Sequence, residues 1–289
     1  MAYRPEPAPF EEELAGLDAL EAKRQQVRSR ARRAWSATWP KLAAIAIVLL
    51  VWQSLVWIHV KPLILKAPGT VFRQLGVDIG NGRIPHALAT TMERAAIGYA
   101  AALLIGSAIG IAVARVPILR AAVGSLITGL QTMPSVAWFP LAIGLFGLSE
   151  TAILSVVILG AAPSIANGLI SGIDNVPPLL LRAGRVLGAR GVSAYRHVIL
   201  PAAFPSFLGG MKQGWAFAWR SLMAGELLVQ LGRPALGFEL ESARLNIDFA
   251  GLMGIMVVIL VVGIVVDSLV FGVIERRVRR RWGLVESAS

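Results

Sequence analysis

Long tracts without a single charged residue limit what this sequence can fold into. They cover residues 42–60, 95–114, 121–149, 151–173 and 249–266. A helix of about 20 apolar residues crosses the hydrocarbon core of a bilayer, which is roughly 30 Å thick. Only 16% of the residues are charged, against about a quarter in soluble domains, so the chain lacks the polar surface of a water-soluble globule. The sequence therefore predicts an all-α integral membrane protein.

One further crossing, the fifth of six in chain order, is predicted over residues 201–229, although Lys212, Arg220 and Glu226 interrupt it. If the chain crosses six times with both termini inside, the loops rich in Lys and Arg all fall on one side, among them residues 182–197. Cytoplasmic loops carry such an excess of positive charge. We therefore expect a multi-pass protein whose two termini are both cytoplasmic.

Composition divides the chain into three parts. Residues 1–38 are polar, with acids first and bases later, and this order fits either a helix over about 10–34 or a solvated tail. Residues 39–282 hold the predicted transmembrane domain, and residues 283–289 form a short tail. Prolines interrupt the third and fourth crossings. Because proline removes a backbone donor, we expect these breaks to face protein or a water-filled path.

The sequence lacks the usual signatures of catalysis and metal binding. It has no cysteine and no GxxxxGK[ST] motif, so we do not expect it to bind ATP itself. Its three histidines, His59, His86 and His197, are far apart in the predicted topology, which argues against a metal site. The net charge of +11 is explained by cytoplasmic Lys and Arg rather than by nucleic-acid binding. An enzyme is therefore disfavoured.

The segment between the fourth and fifth crossings carries a spaced motif. Residues 182–188 read RAGRVLG, nine residues follow, and residues 198–201 read VILP. This resembles the EAA loop of ABC-importer permeases, whose pattern is roughly E-A-A-x-x-x-G, nine residues, then I-x-L-P. Residues 134–142, PSVAWFPLA, and residues 146–150, FGLSE, are similar to the nitrate/sulfonate/taurine branch of these permeases.

The resemblance implies the type I ABC importer permease fold, with six transmembrane helices and a cytoplasmic coupling loop, in the cytoplasmic membrane of a bacterium. It implies a homodimer of permeases, two cytoplasmic ABC ATPase subunits that bind ATP and Mg²⁺, and an extracytoplasmic solute-binding protein. The implied solute is a small anion such as a sulfonate, nitrate or taurine. Two alternatives stay open: an ion-coupled secondary transporter, and an ABC permease for a non-anionic organic nutrient.

The resemblance also implies that the loop over residues 176–201 docks in a groove of the ATPase. Small residues such as Gly184 would allow close backbone approach, and Leu187 and Tyr195 would serve as anchors. Arg182 stands where the family pattern has a glutamate, so we expect the ATPase to carry an acid opposite it. The residues assigned to the loop are Arg182, Ala183, Gly184, Arg185, Leu187, Gly188, Ala189, Tyr195, Arg196, Leu200 and Pro201.

Arg220 lies in the middle of the predicted fifth crossing. A charge at that depth costs about 2.5–3.5 kcal/mol on insertion scales, so this side chain should face a cavity or a counterion. One interpretation is a cationic station for an anion in the translocation pathway. The other is a structural ion pair with Glu226 or Asp267. The other residues assigned to the pathway are Trp138, Ser135, Thr132 and Glu226.

Overall fold

The computed structural model describes residues 35–36 and 38–281, and the described residues are helical with short connections and contain no strand. The all-α prediction is confirmed. Of the described residues, those up to Pro68 form one compact unit, and those from Gly69 onward form a second. The helices are α1 (Thr38–Trp57), α2 (Pro68–Gly80), α3 (Arg83–Arg115), α4 (Pro117–Thr132), α5 (Phe139–Phe146), α6 (Glu150–Asp174), α7 (Pro178–Val186), α8 (Val192–Ala194), α9 (Leu200–Leu228), α10 (Leu236–Leu245), α11 (Phe249–Val266) and α12 (Gly272–Arg281).

The first unit contains α1, which corresponds to the predicted first crossing and ends at Trp57. The indole Nε1 of Trp52 donates a hydrogen bond to the carbonyl of Lys66, at 2.9 Å, so the segment after the helix is held against it. The predicted helix over residues 10–34 lies outside the described residues, and so does the tail over residues 283–289.

Four of the described helical stretches are long and apolar enough to cross a bilayer: α1, α3, α6 and the continuous stretch Phe249–Val278. A fifth candidate is the pair Pro117–Thr132 and Ser135–Phe146, which is bent by 106°. α9 has 29 residues, about 44 Å at 1.5 Å per residue, but its charged residues leave it less apolar. It is long enough for the predicted fifth crossing, over residues 201–229, which stays a prediction for this helix.

The predicted third crossing is a broken span or a re-entrant loop, not one continuous helix. α4 ends before Met133, whose backbone is extended, and Pro134 follows. The residue before a proline is disfavoured in the helical conformation, which explains where the chain bends. Gln131 Nε2 donates to the carbonyl of Pro163 at 3.2 Å and ties the end of α4 to α6. α6 continues through Pro163 without ending.

Helix α6 lies at the centre of the second unit, with α3 parallel to it and α9 antiparallel to it. The three backbones approach closely because small residues line the contacts. A Cβ on Gly106 of α3 would lie 2.6 Å from the carbonyl oxygen of Ala162, and a Cβ on Gly168 of α6 would lie 2.5 Å from the Cα of Gly210. Small residues recur every fourth position along α3, at Gly98, Ala102, Gly106, Gly110 and Ala114. This spacing predicts a surface on which another helix packs closely, and the contacts with α6 confirm it.

Two connecting segments are more helical than the tracts suggested. α3 begins at Arg83 rather than near residue 95, so it carries Arg94 into the bundle, where that side chain is buried. The composition of residues 230–247 predicts an exterior loop, and this segment contains the short helix α10. The prolines, glycines and charges of residues 61–88 predict a loop with one short amphipathic helix, and this helix is α2.

The helix directions define two ends of the second unit. At one end α3 and α6 finish and α4 and α9 begin, and Arg120 and Asp174 form an ion pair there at 2.6 Å. We call this the loop end, because the segment between α6 and α9 lies at it. At the opposite end α6 begins and α9 finishes, and Arg94 and Glu150 meet at 2.6 Å. We call this the cluster end.

Candidate coupling loop and translocation surface

The segment between α6 and α9 is a chain of short helices. α7 begins at Pro178, which is tolerated in a first turn because its missing N–H has no helical partner there. Gly188 follows α7 with a φ of +83°, a left-handed conformation that favours glycine. α8 and a π-helical turn, Tyr195–Ile199, then lead directly into α9 at Leu200. The segment is therefore a helical insertion with defined geometry.

One side of α7 is uncovered by the rest of the chain. Arg182, Ala183 and Arg185 are exposed, and the side chains at its end are more so, with Val186 87% and Leu187 86% exposed. Bulky apolar side chains presented together on a soluble surface are typical of a site that a partner covers. The predicted anchor Leu187 lies within this surface.

Two loop residues predicted to contact a partner also pack against other parts of this chain. Gly184 is buried, and a Cβ on it would lie 2.8 Å from Cγ2 of Val198 in the π-helical turn. It therefore allows packing within the chain, in place of the close approach to a partner that the sequence predicted. Tyr195 is half-buried, and the guanidinium of Arg115 lies 4.4 Å from its ring centroid. This cation–π contact joins the insertion to the end of α3.

The remaining loop residues lie in the turn after α7 and at the start of α9. The N–H of Ala189 donates to the carbonyl of Gly184 at 2.9 Å and closes the turn. Arg196 is exposed, and together with Leu200 and Pro201 it lines part of a shallow groove of about 340 Å³. A docking role for these three residues stays a prediction.

Glu226, predicted to line the pathway, is buried at the cluster end and only 1% exposed. Its carboxylate accepts hydrogen bonds from Thr91 Oγ1 at 2.9 Å, Arg94 Nη1 at 3.0 Å and the N–H of Gly237 at 3.1 Å. Arg94 also donates to both oxygens of Glu150, at 2.6 and 2.8 Å. A buried carboxylate with this many donors is satisfied within the chain. The geometry therefore favours a packing role for Glu226.

Arg94 is the important residue that the sequence reasoning missed. It stands at the border of a charge-free tract, where a charge is usually taken to mark the end of a crossing. Its two partners, Glu150 and Glu226, stand at the ends of two other predicted crossings. One signal in the sequence could have identified Arg94. Its charge and the opposite charges of Glu150 and Glu226 all stand near the ends of predicted crossings, and the predicted topology brings these ends together on one side of the bundle.

Arg220 lies on the exposed side of α9, and no salt bridge reaches it from the described residues. Its Nε donates to the carbonyl of Ala216 at 3.1 Å, and its guanidinium lies 4.7 Å from the centroid of the Phe217 ring. Both counterions considered for it, Glu226 and Asp267, pair with other basic side chains. Among the described residues, the ion-pair interpretation of Arg220 therefore does not hold.

The broken span brings Ser135 close to α9. A Cβ on Gly160 of α6 would lie 2.6 Å from Oγ of Ser221 and 3.7 Å from Cβ of Ser135, so three segments converge at this glycine. Ser135 and Trp138 lie in one 3₁₀ turn, Ser135–Trp138. Trp138 packs against the core and stays partly exposed. Thr132 is exposed at the end of α4, and its hydroxyl donates to a carbonyl in the preceding turn at 2.7 Å. Their pathway role stays a prediction.

The part of the chain that the structure describes contains no group of three or more His, Asp or Glu side chains that could hold a metal ion.

Outside the predicted crossings, Arg244 donates hydrogen bonds to Glu241 in α10, and this contact holds the pKa of that carboxyl below its usual range. The features on which a function can be argued are the cationic side chain of Arg220 and the exposed side of α7.

The second unit is a bundle of membrane-length helices with a basic helical insertion between two tightly packed members, an arrangement that fits a multi-pass membrane protein with a docking segment. The family of binding-protein-dependent transport system inner membrane components matches residues 102–280, more than half of the chain, and the chain belongs to this family. It is thus a multi-pass permease component of an ABC importer. The resemblance inferred from the sequence is confirmed.

Two relatives are similar over most of the chain. The taurine transport system permease protein TauC of Escherichia coli is 29% identical over 208 residues, which cover 70% of this chain and 75% of TauC. The nitrate import permease protein NrtB of a Synechocystis strain is 26% identical over 240 residues, 78% of this chain and 84% of NrtB. These relatives belong to the branch that the sequence resembles.

A solved structure supports the fold. The crystal structure of an amino acid ABC transporter with histidines contains a chain that superposes with a TM-score of 0.55 at 20% identity, covering 70% of this chain and 97% of the other. At this level of identity the likeness supports the helical permease fold alone.

Proposed function

We propose that two copies of this chain form the translocation pathway of an importer driven by two separate ABC ATPase subunits. The ATPases bind ATP and Mg²⁺ and hydrolyse the nucleotide, and an extracytoplasmic binding protein delivers the solute. In this arrangement the loop end and both termini face the cytoplasm, and the cluster end faces outward. The observation that carries the proposal is the uncovered basic and apolar side of α7.

Docking would use that side of α7. Val186 and Leu187 offer apolar anchors that almost nothing in this chain covers, and Arg182 and Arg185 flank them with positive charge. Apolar anchors with a charged rim are the usual composition of a specific protein interface. An acidic groove on the ATPase would complement this surface.

The movement of the ATPase would be transmitted through the side of the α7–α8 insertion that packs against this chain. Gly184 packs on Val198, and Tyr195 contacts Arg115 at the end of α3. Because the insertion is attached to α3 as well as to its own flanking helices, a movement of α7 would be passed to three helices at once. This supports a mechanical role rather than that of a passive connector.

The proposed solute is a small anion such as a sulfonate, nitrate or taurine. The relatives named for taurine and nitrate transport support this class, and so does the unpaired Arg220 on the uncovered face of α9. In such a system the binding protein would supply most of the selectivity. Binding measurements on the cognate binding protein would identify the solute, and a protein that binds only neutral nutrients would contradict the anion assignment.

The docking proposal is tested with two exposed leucines at opposite ends of the bundle. Leu187→Asp should abolish co-purification with the ATPase and ATP-driven uptake, because a carboxylate replaces an apolar anchor. Leu148, which is 63% exposed between α5 and α6, supplies the control, and Leu148→Asp should leave the ATPase bound. Equal behaviour of the two variants would contradict the proposal.

Two further measurements complete the test. Arg182→Glu should lower the stimulation of ATP hydrolysis, since it would place like charges together at the interface. Unchanged hydrolysis and uptake would remove the acidic partner from the proposal. If the purified chain moved solute down an ion gradient with no ATPase bound, the secondary transporter would replace the ABC permease as the explanation.

A further inference from the structure

The uncovered face of α9 differs from that of the other long apolar helix near the chain end. On α11 and its extension the exposed side chains are bulky and apolar, such as Met256 at 54%, Leu260 at 62% and Ile264 at 55% exposure. Such a face suits lipid. Between Ser206 and Arg220 the exposed residues of α9 recur every three or four positions along one face, and they are small or polar: Ser206, Gly209, Gln213, Ala216 and Arg220. The exposed bulky apolar residues of α9, Leu200, Phe204 and Leu228, lie nearer its two ends.

A face of this composition is unsuited to lipid contact. An arginine within the hydrocarbon region normally faces the bundle interior or a water-filled cavity, and the amide of Gln213 would lose its hydrogen bonds to water in lipid. The small residues Gly209 and Ala216 leave room beside both polar side chains. We therefore expect water along this face, between one copy of the chain and its partner.

The side chain of Arg220 is held in place but its charge is not neutralised. Its Nε bonds to the carbonyl of Ala216, and the guanidinium lies on the ring of Phe217. The other ionisable groups nearby along α9 have partners: Glu226 pairs with Arg94 at 3.0 Å. The terminal nitrogens of Arg220 make no hydrogen bond to any described residue, so their donors are available.

Gln213 lies on the same face as Arg220 and seven positions before it, about 10 Å along the helix axis. The bond to Ala216 directs the arginine side chain back along α9 and shortens that gap by about one turn. A planar guanidinium offers paired N–H donors that match the spacing of two oxygens on one anion. The amide of Gln213 can add a further donor.

We infer that Arg220 and Gln213 form a binding station for small oxyanions, such as nitrate or a sulfonate, on the water-filled face of α9. The inference rests on the proposed function and names the residues that recognise its solute. Arg220 supplies the charge and the paired donors, and Gln213 binds a remaining oxygen. If a helix of the second copy packs on this face instead, the cysteine test below will detect it as a thiol that stays unmodified.

The first test measures ATP-driven uptake of nitrate and of taurine by the complete complex reconstituted in vesicles. Arg220→Met should lower uptake by about 10- to 100-fold, the loss expected for hydrogen bonds to a charged group, while the ATPase stays bound. Arg220→Lys should keep part of the uptake with a raised KM, because the charge remains but the paired donors are lost. Gln213→Leu should have a smaller effect.

A matched control lies one position from Gln213. Lys212 is also basic but pairs with Asp267 at 3.1 Å, so Lys212→Met should leave the KM for the anion within about twofold of the parent value. If Arg220→Met takes up nitrate and taurine as the parent does, the station is refuted while the importer stands. If the parent complex moves no solute with ATP, the proposed function itself fails.

The second test does not depend on an arginine variant that assembles. Because the chain has no cysteine, single cysteines can be probed with a charged, water-borne thiol reagent in the intact complex. Ala216→Cys should react, and nitrate or taurine should slow the reaction. Leu260→Cys on α11 should not react. An Ala216→Cys thiol that stays unmodified would mean that packed protein or lipid covers this face, and would overturn the inference.

Discussion

The two faces of α9 place charged side chains in opposite surroundings. On the covered face Glu226 is 1% exposed and takes hydrogen bonds from Thr91, Arg94 and the backbone of Gly237. On the uncovered face, the polar and cation–π contacts that Arg220 makes among the described residues are with its own helix, through the carbonyl of Ala216 and the ring of Phe217. The comparison teaches that this chain satisfies the charges it uses for packing, and leaves unsatisfied the charge that we assign to the solute.

The difference should be largest for the two arginines. Arg94→Met removes one partner of a buried pair and leaves Glu226 uncompensated, so we expect it to destabilise the protein by about 3–5 kcal/mol. Arg220→Met should change stability by no more than about 0.5 kcal/mol, since it breaks no ion pair in this chain. Thermal unfolding of the detergent-purified complex measures both. Equal losses would mean that Arg220 also has a structural counterion.

Two adjacent glycines allow the packing of the covered and uncovered faces of α9 to be compared without a change of charge. A Cβ on Gly210 would lie 2.6 Å from the Cα of Gly168, whereas a Cβ on Gly209 would meet nothing within 4 Å. Gly210→Ala should therefore cost about 1–3 kcal/mol through overpacking. Gly209→Ala should be neutral, or stabilising by up to about 1 kcal/mol because alanine favours helix. The same unfolding measurement decides, and a neutral Gly210→Ala would contradict the close α6–α9 contact.

The smallest loss of stability is expected for an ion pair that lies at the border between the covered and uncovered faces of α9. Lys212 and Asp267 form an ion pair whose side chains are 43% and 44% exposed. Pairs of this exposure contribute about 0–1 kcal/mol, so Lys212→Met should lower stability far less than Arg94→Met. A loss as large as that of Arg94→Met would show that the pair is covered in the assembled dimer.

Much of the fold could be predicted from local patterns. Charge-free tracts located α1, α3, α6 and α11, because the length of an apolar helix is set by the bilayer. The small residues of α3 correctly indicated a packing surface. The spacing of the loop motif located the insertion before α9, since a motif of that kind records a conserved local geometry rather than a long-range contact.

The rest depended on contacts between distant parts of the chain. Arg94 and Glu226 are 132 positions apart, and only the rotation of α3 and α9 about their axes decides that they meet. The same rotation turns Arg220 outward, so the sequence left its pairing open. A proline marked the weak point at residue 134, but the 106° bend depends on how α4 is attached to α6. The inward packing of Gly184 likewise depends on Val198.

The close contact of α6 with α9 has a consequence for how the insertion between them can act. Both ends of the insertion are attached to helices whose backbones touch at Gly168 and Gly210, so these helices cannot slide past each other without losing that contact. In the proposed importer, a force on α7 would therefore move the two helices together. Arg220 belongs to one of them, so its side chain would be carried along with that movement.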